Sequence, residues 1–228
     1  MNNIDYLLES SPWVKNLNDT QVERVRSTMR SQSYAAGALV CHRGDQTAAW
    51  VGVCDGIVKL GVSSQNGKQV SLATGIPKGS WFGEGSLLKR EPRKYDVIAL
   101  RKSVVAFMPE ETFFWLLDES IHFNQFLLNQ LNERLGQFIG HMENQRLLSP
   151  EARVARSLAS MFHPQLYPCA SDEIKLSQQE LGSLSGISRQ RVNKALSVLQ
   201  EQKIIDIEYS TIRVLDFDAL QNFSHEEA

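Results

Sequence analysis

Lys175-Leu-Ser-Gln-Gln-Glu-Leu-Gly-Ser-Leu-Ser-Gly-Ile-Ser-Arg-Gln-Arg-Val-Asn-Lys194 reads as two short helices joined by a glycine turn. Ser177 and Glu180 have the S-x-x-E spacing of a capping box, in which each side chain satisfies a backbone N–H that the helix start leaves unpaired. Leu181 and Leu184 then fall on one face. Gly186 occupies the turn, where a positive φ is cheap for glycine alone. Ser188 can cap the second helix, whose Val192, Leu196 and Leu199 are spaced for burial. Its other face presents Arg189, Gln190, Arg191, Asn193 and Lys194. Such side chains reach guanine and adenine edges, or phosphates, when a helix start enters the major groove. Ile204-Ile-Asp-Ile-Glu-Tyr-Ser-Thr-Ile-Arg-Val-Leu215 follows as two β-prone runs around a Tyr209-Ser210 turn. A solvated helical hairpin would need only one or two of these features. Their conjunction predicts a winged helix-turn-helix whose partner is double-stranded DNA.

The rest of the chain sets the frame. Its 228 residues are comfortable for two domains, and 42% hydrophobic content with 7 prolines is globular rather than disordered. The net charge of −2 argues against nonspecific nucleic-acid binding. Locally, however, residues 188–203 hold four cations against Glu201, a net of +3. A basic face on an acidic chain suits sequence-specific reading. No basic-then-apolar leader opens the chain, and no apolar run approaches the roughly 20 residues that span a bilayer, so a cytoplasmic location is expected, with no membrane contact. Cys41, Cys54 and Cys169 are odd in number and far apart, which fits neither a disulfide framework nor a zinc site. Buried or incidental thiols are expected, and no metal.

Residues from about 4 to 30 predict helix, with Asp19 as a cap. From Tyr34 to Met108 short β-prone runs alternate with glycine turns, of which Asn66-Gly67 is a strong signal for a two-residue hairpin. That texture predicts an antiparallel, jelly-roll-like β-roll. A long helix follows from about Ser120, with Phe123, Leu127, Leu131, Leu135, Phe138 and Met142 at steps of three and four, close to a coiled-coil seam. These positions are expected to pair two copies of the chain, although packing on the chain's own roll would give the same pattern. Ser149-Pro150-Glu151 ends that helix and starts another. The expected fold class is α+β, in three parts: a sensor-like roll over 1–118, a dimerisation helix over 119–148, and a winged helix-turn-helix over 149–228.

This order of parts resembles the CRP/FNR superfamily of bacterial transcription regulators over nearly the whole chain. The run Gly79-Ser-Trp-Phe-Gly-Glu-Gly-Ser-Leu-Leu88 resembles the family's cyclic-nucleotide cassette, in which a Gly-Glu pair takes the ribose and a later Arg-Ser pair holds the phosphate. The resemblance implies an effector pocket at Gly83, Glu84, Gly85, Ser86, Arg93, Lys94, Phe138 and Ile139. Two departures stand out. Lys94 replaces the phosphate serine, and Phe138 and Ile139 replace hydroxyls that would meet the adenine. A base facing Phe and Ile would leave polar groups unpaired at a cost of about 1–3 kcal/mol each. Cyclic AMP is therefore disfavoured and the effector is left unidentified. Glu84 and Arg93 serve equally well as structural supports, paired with each other or with backbone. No cysteine precedes Cys41, so no iron–sulfur cluster is expected.

By the same resemblance Arg189, Gln190 and Lys194 read bases, with glutamine at a position where several relatives carry glutamate. Ser177, Gln178 and Ser188 are better placed for phosphates. The implied unit is a homodimer on a palindromic operator, with His163 to Glu173 as an exposed loop for RNA polymerase. The alternative is a ligand-sensing module whose C-terminal domain contacts a protein. No H-E-x-x-H, P-loop or G-x-S-x-G is present, and no catalytic residue is assigned.

Overall fold

The computed structural model describes residues 3–63, 69–71, 75–169, 171–209 and 211–224. The chain opens with α1 (Asn3–Ser10), a 3-10 turn at Pro12–Asn16, and α2 (Asp19–Thr28). Asn18, rather than Asp19, caps α2, through a capping box with Gln21. The roll comprises β1 (Arg30–Tyr34), β2 (Leu39–Cys41), β3 (Ala49–Asp55), β4 (Ile57–Ser63), β5 (Gln69–Ser71), β6 (Ile76–Pro77), β7 (Trp81–Phe82), the short helix α3 (Glu84–Leu88), β8 (Asp96–Ala99) and β9 (Ser103–Pro109). Two antiparallel sheets result, in the orders β1-β9-β3-β7 and β2-β8-β4-β5, with β6 on β4. The Asn66-Gly67 hairpin and Ser210 of the wing turn lie outside the described residues.

Helices α4 (Glu110–Glu119) and α5 (Ile121–Leu147) follow the roll, and Ser120 caps α5 by accepting from the Phe123 N–H. The first turns of α5 enter an aromatic core. Trp50 and Trp81 stack at 4.3 Å between centroids, while Trp13 meets Phe123 edge-on at 5.3 Å. Edge-to-face and offset rings are the arrangements that aromatic quadrupoles favour. Phe123 is fully buried there and Leu127 nearly so. These two residues, expected at a dimer seam, are therefore taken up by the chain's own core. The apolar row left open on α5 is instead Ile121, Leu128, Leu135 and Met142, flanked by Phe138 and Ile139; Leu131 is half-buried. The sequence carries two apolar rows on one helix, and the tryptophan cluster claims one of them.

The C-terminal part contains α6 (Pro150–Ala159), β10 (Glu173–Lys175), α7 (Gln178–Ser185), α8 (Arg189–Glu201), β11 (Ile205–Glu208), β12 (Thr211–Val214) and α9 (Phe217–Asn222). Its core gathers Val154 and Leu158 from α6, Leu181 and Leu184 from α7, Val192, Leu196 and Leu199 from α8, and Ile205 and Ile212 from the wing. The wing has three strands in the order β10-β12-β11. The segment expected as an exposed loop is only partly so. Leu166 and Tyr167 are buried in the roll's interior with Val51, Phe82 and Val97, because a Leu-Tyr pair between prolines has apolar surface to hide.

The two parts are docked. Ile57 of the roll belongs to the C-terminal core, Lys59 Nζ donates to Ser183 Oγ at 2.9 Å, and Arg101 reaches the Glu180 carboxylate with two bonds of 2.7 Å.

Candidate nucleic-acid interface and effector pocket

The helix-turn-helix is built as its residues dictate. Ser177 Oγ accepts from the Glu180 N–H at 3.2 Å, and Glu180 Oε2 accepts from the Ser177 N–H at 2.8 Å. Gly186 adopts φ +68°, and a Cβ on Gly182 would lie 2.8 Å from the Ile187 carbonyl oxygen, so both glycines are needed for the turn to close on α7. Ser188 caps α8 by accepting from the Arg191 N–H at 3.4 Å. With Val192, Leu196 and Leu199 buried, Arg189, Gln190, Arg191, Asn193 and Lys194 are left exposed on one face.

Those side chains are not equally free. Gln178 Nε2 donates to Asn193 Oδ1 at 2.8 Å, tying the two helices together. Lys194 lies 3.6 Å from the buried Glu151, a counter-charge invisible to a reading of the motif alone. Ser177 Oγ also donates to Glu180, so this serine serves as a cap. Arg189, Gln190 and Arg191 make no side-chain hydrogen bond or ion pair among the described residues. They are the groups presented bare at the start of α8.

In the roll, Gly83 follows β7 as the N-cap position of α3, and Glu84 opens that helix, buried at 1% exposure. Its two oxygens are both engaged. Oε2 accepts from Trp50 Nε1 at 3.2 Å, and Oε1 accepts from Arg134 Nε at 3.0 Å. Arg134, which also donates to the Trp81 carbonyl, comes from α5. Burial opposes its charge, but the Glu84 carboxylate, with Tyr167 and Tyr95 behind it, outweighs this and raises the guanidinium pKa. Arg93 is buried, donates through Nη2 to the Ala49 carbonyl at 3.2 Å, and leaves Nη1 without a partner. Glu84 and Arg93 are thus not paired with each other. Burial, then Glu84, pushes the Tyr95 hydroxyl up to about 12.

The remaining residues implied by the resemblance are dispersed. Lys94 is turned outward, bonded to Glu91 at 2.8 Å, because a lysine ammonium is strongly hydrated and cannot share the interior with Arg93. Gly85 is exposed and Ser86 half-buried. Phe138 and Ile139 are exposed on α5. Arg134 is the residue that sequence reasoning missed. Its signal was present: Phe123, Leu127, Gln130, Arg134, Gln137 and His141 continue one face of α5 at steps of four and three, turning from apolar to polar. The thiols are subdued, burial pushing Cys41 up and Cys54 up to about 12. Among the described residues no helix is long and apolar enough to cross a membrane.

Residues 31–120 match the cyclic nucleotide-binding domain, and residues 152–223 match the Crp-like helix-turn-helix domain. The chain is 26% identical over 200 residues to the cAMP-activated global transcriptional regulator CRP of Pasteurella multocida, covering 86% of this chain and 95% of that one. It is 26% identical over 219 residues to the Cyclic AMP receptor protein of Thermus thermophilus, covering 95% and 98%. Among solved structures, FixK2 from Bradyrhizobium japonicum superposes with a TM-score of 0.71 at 18% identity, covering 88% of this chain and 99% of that one, a likeness of fold. A nucleotide-binding-type roll, a 27-residue helix and a Crp-like helix-turn-helix, in that order and matched over 86% of the chain by a transcription regulator, place this chain in the CRP/FNR superfamily of transcription regulators, not among enzymes.

Proposed function

We propose that the protein is a sequence-specific transcription regulator that reads a palindromic duplex as a homodimer. The observation that carries this is the bare Arg189-Gln190-Arg191 at the start of α8, backed by a helix whose other face is anchored in the domain core. An Arg189 guanidinium can take the O6 and N7 of guanine together, and Gln190 can both donate and accept, which suits adenine. The open row Ile121, Leu128, Leu135 and Met142 repeats every seven residues, the spacing of a two-helix seam. Two copies joined there would set their α8 helices about 34 Å apart, one turn of duplex.

The effector is not cyclic AMP. Glu84, which would accept a ribose hydroxyl, already accepts from Trp50 on one oxygen and from Arg134 on the other, and Lys94 faces water. Selection of bound duplexes from a randomised library, with and without cyclic AMP, tests both statements. A recovered palindrome, unchanged by the nucleotide, is the expected result. No enrichment in either arm, nor in a third arm with the anionic ligand inferred below, removes the DNA reading, and enrichment only with cyclic AMP removes the second statement.

A further inference from the structure

Below the sensor roll, a cavity of about 600 Å³ opens where α5, α6, α9 and the roll meet. That size suits a small organic ligand. Its lining includes Arg134, Arg153, Arg156, His141 and His163, and no aspartate or glutamate among the described residues. Arg134 is neutralised by Glu84, and His163 lies 3.1 Å from Glu133. Arg153 spends one Nη on the Ser185 carbonyl, and the Arg156 side chain makes no hydrogen bond or ion pair among the described residues. Both are half-buried and lie three residues apart, on one face of α6. Two guanidinium groups drawn partly out of water without a counter-charge are costly unless an anion joins them. Phe138 and Phe217 supply apolar walls.

We infer that this cavity binds an organic anion, a carboxylate or phosphate ester on an aromatic body, and that it is the effector site of the protein. The guanidinium forks of Arg153 and Arg156 match the paired oxygens of such a group, and the phenyl rings accept the body. The ligand touches α5 on one side and α6 and α9 on the other. It therefore favours whichever relative placement of helix and DNA-binding domain lets all three walls close on it. Phe138 stands between the cavity and the open seam of α5, so occupancy is felt at both.

The effector role rests on the regulator reading above, whereas binding of the anion does not. The test is calorimetric titration of the full chain with 4-nitrophenyl phosphate, 4-nitrophenylacetate and, as the neutral counterpart, 4-nitrobenzyl alcohol. One of the two anions is expected to bind once per chain, and which one does so assigns the head group. Arg153→Met and Arg156→Met should each weaken it tenfold or more, as removal of a charged hydrogen bond does. Should either variant misfold, Arg156→Lys, which keeps the charge and loses the fork, should give a smaller loss. Binding of neither anion, equal binding of the alcohol, or loss on Arg93→Met with no loss on Arg156→Met overturns the inference. Anion binding without DNA enrichment, in a selection run with the bound anion present, would keep this site and remove the regulator reading, and a selected duplex without anion binding would do the reverse.

Discussion

Gln190 is exposed at the start of α8, whereas Arg134 is held against the buried Glu84. At Gln190 the amide can pair with both adenine N6 and N7, whereas a carboxylate only accepts and so favours cytosine N4. Gln190→Glu should move the selected base at one position of each half-site while leaving the others unchanged. Arg189→Ala should weaken the chosen duplex by about 1–3 kcal/mol, and relax choice at one base pair. Arg134 answers a carboxylate fifty residues away in the chain. Arg134→Met leaves Glu84 buried with only the Trp50 indole, at a cost of roughly 3–5 kcal/mol. Thermal unfolding should show that loss, and Glu84→Gln in the same chain should recover part of it. No recovery would mean that Arg134 acts through packing alone. The polar face of α8 was legible in the sequence because it depends only on the residue spacing of one helix. The Glu84 partner was not, because nothing local links α3 to α5.

Helix α5 shows how much an element discloses about itself. Its ends were plain: the Ser120 cap, and the Ser149-Pro150 start of the next helix. Its faces were not, since apolar residues run along two of them. The tryptophan cluster takes Phe123 and Leu127, and so leaves Ile121, Leu128, Leu135 and Met142 exposed. Leu128→Glu or Leu135→Glu should therefore yield a folded monomer by sedimentation. Its affinity for the palindrome should fall about a hundredfold, because the second half-site is then no longer bound within one assembly. Leu127→Glu is expected to unfold the N-terminal part, since it places a charge in the core. A monomer that keeps full affinity for the palindrome would remove the seam.

Across the whole molecule, the roll holds the DNA-binding part through Arg101 and Glu180. Burial favours the neutral form of Glu180, but the bonds from Arg101 and from Ser177 prevail and hold its pKa below the ordinary carboxylate value. A depressed carboxylate pKa contributes stability that is fully present above the unfolded value, near 4.5 for this group, and is lost as pH falls through the folded value. Docking of the two parts should thus hold at neutral pH and loosen below about pH 4.5. Arg101→Met should loosen it at neutral pH and blunt that acid transition. A distance measured by fluorescence transfer between labels on the roll and the wing follows both. An acid transition unchanged in Arg101→Met would assign it to other carboxylates.

The sequence by itself determined the helix-turn-helix, the strand texture of the roll, the extent of α5 and the polar face of α8. Each rests on caps, turn glycines and side-chain periodicity, which act over a few residues. Tertiary structure alone decided which apolar row of α5 is open, that Glu84 is closed off by Arg134, that Leu166 and Tyr167 are hidden, and that cationic side chains of α5 and α6 share a cavity. Those outcomes depend on which distant surfaces compete for the same apolar or charged group. That competition is settled only when the chain has packed.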